Sequence, residues 1–127
     1  MKVVQGLKYT SSHEWIRLEG DTAFIGITDY AQSHLGTVVF VELPAEGDEL
    51  AKGDSMAVVE SVKAASDVYT PLSGTVKAVN EEIADDPEQI NRDAYASWFM
   101  SLELSDTSEL EELLNAEEYE QLTKQEE

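Results

Sequence analysis

Short β-type segments separated by turn residues recur between residues 7 and 104, and they restrict the possible folds more than any other feature of this sequence. The strongest segment, residues 37–43, is rich in β-branched and aromatic side chains and is ended by Pro44. Many short strands with frequent turns are typical of sandwiches and flattened barrels. We therefore expect a mainly β fold, a flattened barrel-sandwich hybrid of two small antiparallel sheets.

Helix-capping residues interrupt this β pattern at two places. Thr28 is a favourable N-cap residue and Gly36 has the position of a glycine that ends a helix, so a helix of about two turns is expected between them. Asp86, Pro87 and Gln89 follow the order of N-cap, N1 and N3 residues and predict a second helix start.

The tail of the chain consists of helix-forming residues and glutamate. Ser108 with Glu111 matches a capping box, and Asn115 with Glu118 marks a further helix start. A narrow leucine stripe gives the tail one apolar side. C-terminal helices are therefore expected over about residues 107–125, packed on the β core with a solvated outer side.

One short repeat occurs on either side of Lys63. Gly36-Thr37-Val38 recurs as Gly74-Thr75-Val76, and each copy precedes a predicted strand. The repeat suggests two similar half-sheets joined by a hairpin. Because the length of 127 residues suits one domain, residues 1–127 are interpreted as a single unit with its β core at about residues 7–104.

Acidic residues dominate the charge of the chain, with 27 Asp and Glu against 8 Lys and Arg and a formal net charge of −19. This balance excludes a nucleic-acid partner, because such proteins need cations against the phosphates. Anionic membrane surfaces are disfavoured for the same reason. The charge favours a monomer and docking onto basic surfaces of protein partners.

Several classes of site and location are disfavoured by the residues that the chain lacks. There are no cysteines, which excludes disulfides, thiolate metal ligands and cysteine nucleophiles. Two histidines, His13 and His34, are too few for a histidine-rich metal site, and both are expected to serve the structure. No apolar run approaches the ~20 residues of a membrane span, and the N-terminus lacks the layout of a secretory signal. The expected location is the cytoplasm, and no metal is expected.

The residues support neither a hydrolase nor an acyl-carrier site. Ser12, His13 and Glu14 have the right types for a catalytic triad, but neighbours in an extended chain point to alternate faces. Asp54-Ser55-Met56 resembles the Asp-Ser-Leu of acyl carrier proteins, whose modified serine opens a helix in a helical bundle. Ser55 lies instead between a turn and a valine-rich strand, so this match is interpreted as accidental.

Lys63 lies in a segment of small residues between two β-type runs. Val58 and Val59 precede it, and Val68 and Tyr69 follow it, which predicts a hairpin with the lysine at its tip. The four-carbon side chain holds the amine clear of the backbone there. From this pattern alone, Lys63 is an ordinary solvated lysine.

The block Glu-Ser-Val-Lys-Ala-Ala-Ser-Asp at residues 60–67 is the most specific motif of the chain. It is accompanied by Lys8-Tyr9, Ser12-His13-Glu14-Trp15, residues 26–32, Leu35-Gly36, residues 38–44, Ser73-Gly74, Val79-Asn80 and the glutamate-rich tail. Together these motifs resemble the H proteins of the glycine cleavage system, a family of lipoyl carriers, over essentially the whole chain. Lipoyl domains of 2-oxo acid dehydrogenases more often have Asp-Lys-Ala, and biotin carriers place methionines beside the lysine.

The resemblance implies a lipoyl/biotinyl-like fold with lipoate attached covalently to the side-chain nitrogen of Lys63. It also implies that Glu60 is recognised by the lipoylating enzyme. Ser12, Glu14 and Asp67 match the residues of a cleft that holds the aminomethyl-lipoyl arm. Carboxylates suit that cleft, because a partly desolvated ammonium needs an anionic partner. From the residues alone, Glu14 and Asp67 are ordinary solvated acids.

The partners implied by the resemblance belong to the glycine cleavage system. A non-catalytic carrier would take an aminomethyl group from glycine decarboxylase (the P protein), pass it to aminomethyltransferase (the T protein) and be reoxidised by dihydrolipoyl dehydrogenase (the L protein). A lipoate ligase or an octanoyl or lipoyl transferase would modify it. The alternatives are an H-like carrier or lipoyl relay that serves a non-glycine system, an acyl carrier at Ser55, and an unmodified acidic interaction module.

One departure from the family pattern precedes the last predicted strand. The family usually has Pro-Tyr-x-x-(Gly/Ala)-Trp there, whereas this chain has Asp93-Ala94-Tyr95-Ala96-Ser97-Trp98, without the proline and one residue shorter. We expect the loop that leads into Trp98 to differ, together with any partner contacts near it.

Overall fold

The computed structural model describes residues 2–126 as strands joined by turns and short helices. The strands are β1 (Lys8–Tyr9), β2 (Glu14–Glu19), β3 (Thr22–Ile27), β4 (Val38–Glu42), β5 (Glu49–Leu50), β6 (Ser55–Ser61), β7 (Ala65–Tyr69), β8 (Gly74–Val79) and β9 (Met100–Leu104). The helices are α1 (Asp29–Leu35), α2 (Glu81–Asp85), α3 (Gln89–Arg92) and α4 (Ala116–Glu126), with a 3-10 helix, Thr107–Glu112, before α4. Met1 and Glu127, the two ends of the expected domain, lie outside the described residues.

Within residues 2–126, the strands form two antiparallel sheets. The larger sheet has the order β1-β2-β3-β9-β8-β5, and the smaller sheet has the order β4-β6-β7. The expected mainly β fold, with two antiparallel sheets, short helices and a C-terminal helix, is confirmed, although the sheets do not close into a barrel. Because the sheets contain six and three strands, the expectation of two similar half-sheets is wrong.

One apolar core joins the two sheets. It contains buried side chains of the larger sheet, such as Ile16, Ile25 and Leu102, and of the smaller sheet, such as Val41 and Val59. Alternation along the strands turns these side chains to the same side of each sheet. Burial of each one stabilises the fold by roughly 1.5–3 kcal/mol, so the core holds the sheets in a fixed relation.

A second, aromatic cluster covers the opposite face of the larger sheet near β1. Tyr9, Trp15 and Tyr119 are fully buried in it, and Tyr9 stacks on Tyr119 with 4.6 Å between the ring centroids. The indole nitrogen of Trp15 donates a 3.1 Å hydrogen bond to the carbonyl of Ala94. The cluster therefore fastens α4 to the sheet, which confirms that the tail packs on the β core.

The two glycines of the short repeat have different structural roles. Gly36 follows α1 with a φ of 79°, a left-handed conformation that favours glycine. Gly74 lies in β8, where an added Cβ would lie 2.1 Å from the carbonyl oxygen of Glu103 in β9. One glycine ends a helix and the other lets two strands approach, so the repeat does not mark duplicated halves.

Helix α1 begins as predicted, whereas the helical segment near Asp86 does not. Thr28 caps α1 by accepting a 3.2 Å hydrogen bond from a backbone N–H of the first turn. Helix α2 was not predicted, and Asn80 caps it. Asp86 lies between α2 and α3, and its carboxylate pairs with Arg92. The predicted N-cap role of Asp86 is therefore wrong, since α3 begins three residues later with no side-chain cap.

Helices form in the tail as predicted, although the first cap differs. The 3-10 helix Thr107–Glu112 is capped by Asp106, whose carboxylate accepts a 3.0 Å hydrogen bond from the N–H of Ser108. Asn115 and Glu118 exchange hydrogen bonds of 2.9 and 2.8 Å at the start of α4, which confirms that capping pair. Among the described residues, no helix is long and apolar enough to cross a bilayer.

Asn91 in α3 ties the end of α1 to the smaller sheet. Its side-chain oxygen accepts a 2.8 Å hydrogen bond from the N–H of Val38, the first residue of β4. Its side-chain nitrogen donates to the carbonyl of Gly36 and to the side chain of Gln32, both at 2.9 Å. One side chain therefore satisfies backbone groups that belong to two elements.

The substitution Asn91→Ala is expected to lower the free energy of unfolding by about 2 kcal/mol, because the Val38 N–H and the Gly36 carbonyl lose their partners. Chemical denaturation followed by circular dichroism measures the change. Glu88→Ala, an exposed substitution beside the same helix, is the control and is expected to change stability by less than ~0.5 kcal/mol. Equal effects of the two substitutions would contradict the role assigned to Asn91.

Candidate functional site

Lys63 lies at the exposed tip of the hairpin that β6 and β7 form, as predicted. Ser61 shapes this tip: its N–H donates a 2.7 Å hydrogen bond to the carbonyl of Ala64. The Ser61 hydroxyl oxygen accepts hydrogen bonds of 3.2 Å from the backbone N–H groups of Lys63 and Ala64. The N–H of Val62 donates to the carbonyl of Thr37 at 3.0 Å, which joins the tip to the chain before β4. The backbone that presents the lysine is therefore held on both sides.

The side chain of Lys63 lies across the C-terminal end of α1. Its Nζ donates a 3.0 Å hydrogen bond to the carbonyl of His34 in the last turn, where the helix dipole favours a cation. An added Cβ on Gly36 would lie 3.3 Å from Cε of the lysine, so the glycine leaves room for the side chain. The sequence predicted Gly36 only as a helix end and gave no signal of this contact.

A groove of about 330 Å³ lies beside the hairpin, between α1, the chain before β2 and the strand β7. Ser12, Glu14 and Asp67, the three predicted cleft residues, all line it. His34 also lines it and links it to Lys63 through the hydrogen bond to Nζ. The remaining lining residues are His13, Ile27, Tyr30, Ala31, Leu35, Ser66 and Val68. The fold therefore brings all three cleft residues together next to the lysine.

Glu14 is the buried carboxylate of this groove, with 3% of its surface exposed. One oxygen, Oε1, accepts hydrogen bonds of 2.7 Å from the hydroxyls of both Thr10 and Ser12. Among residues 2–126, no basic side chain forms an ion pair with it. Burial raises the pKa of Glu14, and the two hydroxyl donors oppose that shift. The site therefore holds an acidic acceptor without a cationic partner.

Thr10 was not among the predicted site residues, although it contacts Glu14 as closely as Ser12 does. Its hydroxyl also accepts a 3.0 Å hydrogen bond from the N–H of Glu14. A threonine four residues before a glutamate is too common a pattern to indicate this contact. The turn that brings Thr10 back to Glu14 exists only in the folded chain.

Asp67 lies on the exposed edge strand β7 at the other side of the groove. Its Oδ1 accepts a 3.0 Å hydrogen bond from the hydroxyl of Ser55. Ser55 itself begins the strand β6 and does not open a helix, as the sequence indicated. The hydroxyl proposed for an acyl carrier is thus used to orient a groove carboxylate.

His13 connects the groove to the C-terminal helix. It has a φ of 72°, which is uncommon for a residue other than glycine. Its Nδ1 lies 2.8 Å from the hydroxyl of Tyr119, and its Nε2 lies 3.2 Å from a carboxylate oxygen of Glu126. The ring stacks on Tyr30, and the ring of His34 also stacks on Tyr30. Burial lowers the pKa of His13, although Glu126 opposes the shift.

These contacts direct the two ring nitrogens of His13 toward α4, while the hydroxyl of Ser12 binds Glu14. The three neighbouring residues therefore do not assemble as a triad. Both histidines contribute to packing around Tyr30, as expected. Among the described residues, no group of three His, Cys, Asp or Glu side chains is placed to hold a metal ion.

Glu60 lies apart from the groove. It is exposed on β6, opposite Phe40 of β4 and Ala65 of β7, on the face of the smaller sheet that is turned away from the core. Glu60 does not line the groove, and the structure separates this predicted recognition residue from Ser12 and Glu14.

The loop before Trp98, where the sequence departs from the family pattern, is ordered by its own contacts. The hydroxyl of Ser97 donates a 2.7 Å hydrogen bond to the carbonyl of Asp93. The hydroxyl of Tyr95 donates one of the same length to the carbonyl of Lys2. None of these loop residues lines the groove beside Lys63.

Comparisons with known proteins identify the family to which this arrangement belongs. A family model described as "Glycine cleavage H-protein" matches residues 7–126. The chain is 57% identical to a "Glycine cleavage system H protein" of Thermoanaerobacter pseudethanolicus, over 94% of each chain. It is 55% identical to a protein of the same name from Clostridium botulinum, over 96% of this chain and 94% of that one.

A solved structure agrees with these matches. The crystal structure of a glycine cleavage system H protein from Mycobacterium marinum superposes with a TM-score of 0.87 at 38% identity, and the match covers 95% of this chain and 98% of that chain. The sequence match and the fold match thus extend over the same core, tail and hairpin, and the chain belongs to the glycine cleavage H-protein family.

Proposed function

We propose that this chain is the lipoyl-lysine carrier of a glycine cleavage system, with lipoate attached through an amide to Nζ of Lys63. In this role it passes an aminomethyl group from glycine decarboxylase to aminomethyltransferase and is reoxidised by dihydrolipoyl dehydrogenase. The observation that carries the proposal is the position of Lys63. It lies exposed at a hairpin tip, directly beside a groove whose buried carboxylate has no cationic partner among residues 2–126.

The residues around Lys63 suit a covalently attached lipoyl group. The amine is exposed, and the neighbouring groove is lined by apolar side chains such as Ile27, Leu35 and Val68. When bound, lipoate supplies a disulfide that can accept a carbon group and be reduced. In this role the protein is a carrier and not a catalyst. Tethering the group to the chain gives it a high effective concentration at each docked enzyme.

The groove is proposed to hold the cationic end of the loaded arm. An ammonium that leaves water needs anionic acceptors, which Glu14 and Asp67 supply from opposite sides of the groove. The hydroxyl of Ser12 fixes the carboxylate of Glu14 before any cation arrives. This arrangement exchanges a solvated ammonium for a charge-paired one and keeps the carried carbon away from bulk water.

The remaining expectations on partners follow from the same assignment. A lipoate ligase or an octanoyl or lipoyl transferase forms the amide and recognises Glu60, which is exposed near Lys63. Amide formation removes one positive charge, so the formal net charge changes from −19 to −20. The single domain works as a monomer, because strong like charge opposes self-association.

Lys63→Arg is expected to abolish lipoylation, because arginine keeps the positive charge at the hairpin tip but offers no amine that can be acylated. Intact-mass measurement of protein incubated with lipoate ligase, lipoate and ATP tests this. Lys77→Arg, an exposed lysine on β8, is the control and is expected to retain a single lipoyl increment. An increment mapped to Ser55, or none on the wild-type chain, would contradict the proposed function.

Glu14→Gln is expected to stabilise the folded protein at pH 7 and to weaken the hold of the groove on the loaded arm. Burial raises the pKa of Glu14, so this carboxyl favours folding below its unfolded pKa of about 4.5, and the contribution is lost as pH rises through the folded pKa. Glutamine avoids that loss, so its advantage in melting temperature should shrink as the pH is lowered toward 4. A constant advantage at every pH would contradict the assigned cause.

The same substitution is expected to accelerate loss of the aminomethyl group from the loaded protein about tenfold, because one charge-assisted hydrogen bond is removed. Formaldehyde released from loaded protein without the transferase measures this loss. Glu103→Gln, an exposed carboxylate of β9, is the matched control. If both variants release formaldehyde at the wild-type rate, Glu14 does not hold the loaded arm.

A further inference from the structure

The face of the smaller sheet that is turned away from the core exposes large apolar side chains near Lys63. Phe40 in β4 is 48% exposed, and Val39 beside it is 53% exposed. Val62, the residue before the lysine, is 69% exposed. We call this surface, formed by Val39, Phe40, Val62 and the neighbouring carboxylates Glu42 and Glu60, the outer face.

A β-bulge in β4 creates this exposure. Val38 pairs with Ser61 and Phe40 pairs with Glu60, so Val39 is an extra residue on β4. The bulge lets Val38 and Val41 both stay buried in the core while the two residues between them face solvent. Packing of the core therefore does not account for the apolar character of Val39 and Phe40.

The charge of the outer face has one sign. Glu42 lies two residues after Phe40 on the same side of β4, and Glu60 is the cross-strand partner of Phe40. Both carboxylates are exposed, and among the described residues neither forms an ion pair. An apolar centre with an acidic rim is complementary to a partner that presents an apolar pocket edged by Lys or Arg.

The position of the outer face indicates which kind of enzyme binds there. An enzyme that uses the loaded arm acts on atoms many bonds beyond Nζ, and the groove side of the hairpin serves that arm. An enzyme that acylates Nζ must bring its own reactive carbonyl to the amine, so it has to contact the residues next to Lys63. Val62 adjoins the lysine, and Phe40 pairs with a residue three positions before it.

We propose that the outer face is the docking surface for the enzyme that acylates Lys63, with Phe40 and Val62 as its apolar anchors; this inference rests on the proposed function. A docked ligase, the enzyme used in the test below, carries an acyl-adenylate. A bond forms between Nζ and the acyl carbon, the bond from that carbon to the phosphate oxygen breaks, AMP leaves, and the amine gives up its proton. Glu42 and Glu60 then orient the partner through its basic rim.

The test measures initial rates of lipoylation of apo protein by lipoate ligase with lipoate and ATP, followed by intact mass and mapped to Lys63. Phe40→Ser and Val62→Ser are each expected to lower kcat/KM about tenfold, as for loss of an interface anchor. Leu18→Ser is the matched control, because Leu18 is also an exposed apolar residue, 38% exposed, but lies on β2 of the larger sheet. Its rate is expected to equal that of the wild type.

A second pair of variants tests the charge of the outer face. Glu42→Lys and Glu103→Lys change the net charge equally, but only the first lies on the outer face. Glu42→Lys is expected to lower kcat/KM more than Glu103→Lys, with the difference shrinking as salt is added. Circular dichroism and melting curves confirm that each variant is folded. Val62→Ser lies in the hairpin tip, so it tests docking on the outer face without altering a strand.

The outcomes separate the two proposals. Wild-type rates for both Phe40→Ser and Val62→Ser would overturn the docking surface while the proposed function stands. A wild-type chain that is not lipoylated at Lys63 would overturn both. If Phe40→Ser and Val62→Ser lower the rate of decarboxylase-dependent glycine–bicarbonate exchange more than they lower the rate of lipoylation, the outer face belongs to the decarboxylase. That result would overturn the present assignment.

Discussion

Hydrogen bonds at both ends of α1 fix this helix between the two sheets, and the geometry of the site depends on them. At its start, the hydroxyl of Thr28 lies 2.7 Å from the hydroxyl of Tyr119 in α4. At its end, Asn91 accepts the Val38 N–H and donates to the Gly36 carbonyl. Helix α1 connects β3 of the larger sheet to β4 of the smaller one, so these bonds set the wall of the groove and the surface on which Lys63 rests.

The burial of Glu14 lowers the stability of the fold at neutral pH, and in the proposed function this cost is exchanged for binding of a cation. A buried carboxylate without a cation disfavours folding at neutral pH, as the raised pKa indicates. The hydroxyls of Thr10 and Ser12 reduce this cost and hold one carboxylate oxygen in place. A basic residue of the chain beside Glu14 would stabilise the fold further, but it would compete with any cationic ligand. The unpaired acid is therefore consistent with a site that is completed by a cation from outside.

Features with local causes could be predicted from the sequence, because the residues that create them are close together in the chain. The strands, the Thr28 cap, the Asn115–Glu118 pair and the hairpin tip with Lys63 are of this kind. Asp86 shows the limit of such local patterns, because its carboxylate forms an ion pair with Arg92 and does not cap a helix. The local pattern was compatible with both outcomes.

The groove could not be derived from patterns, because its members meet only through long-range packing. Glu14 comes from β2 of the larger sheet and Ser12 from the turn before it, whereas Asp67 comes from the smaller sheet, and only the family resemblance placed them in one site. The bonds from His13 to Tyr119 and Glu126 join residues more than a hundred positions apart. Periodicity along the chain carries no information about such pairs.

The hairpin of β6 and β7 separates two surfaces that share Lys63. Ser12 and Glu14 line the groove on one side, whereas Glu60 lies with Phe40 on the outer face. Asp67, the cross-strand partner of Val58, lies on the edge strand between these surfaces, and the lysine stands at the end of the hairpin. An enzyme that covers the outer face can reach Nζ without entering the groove. In the proposed function, a group tethered to Lys63 then turns from the hairpin tip toward Glu14, past the carbonyl of His34 that lies beside the amine. In the proposed function, attachment and sheltering of the cofactor therefore need not compete for the same residues, which allows each surface to be shaped for one task.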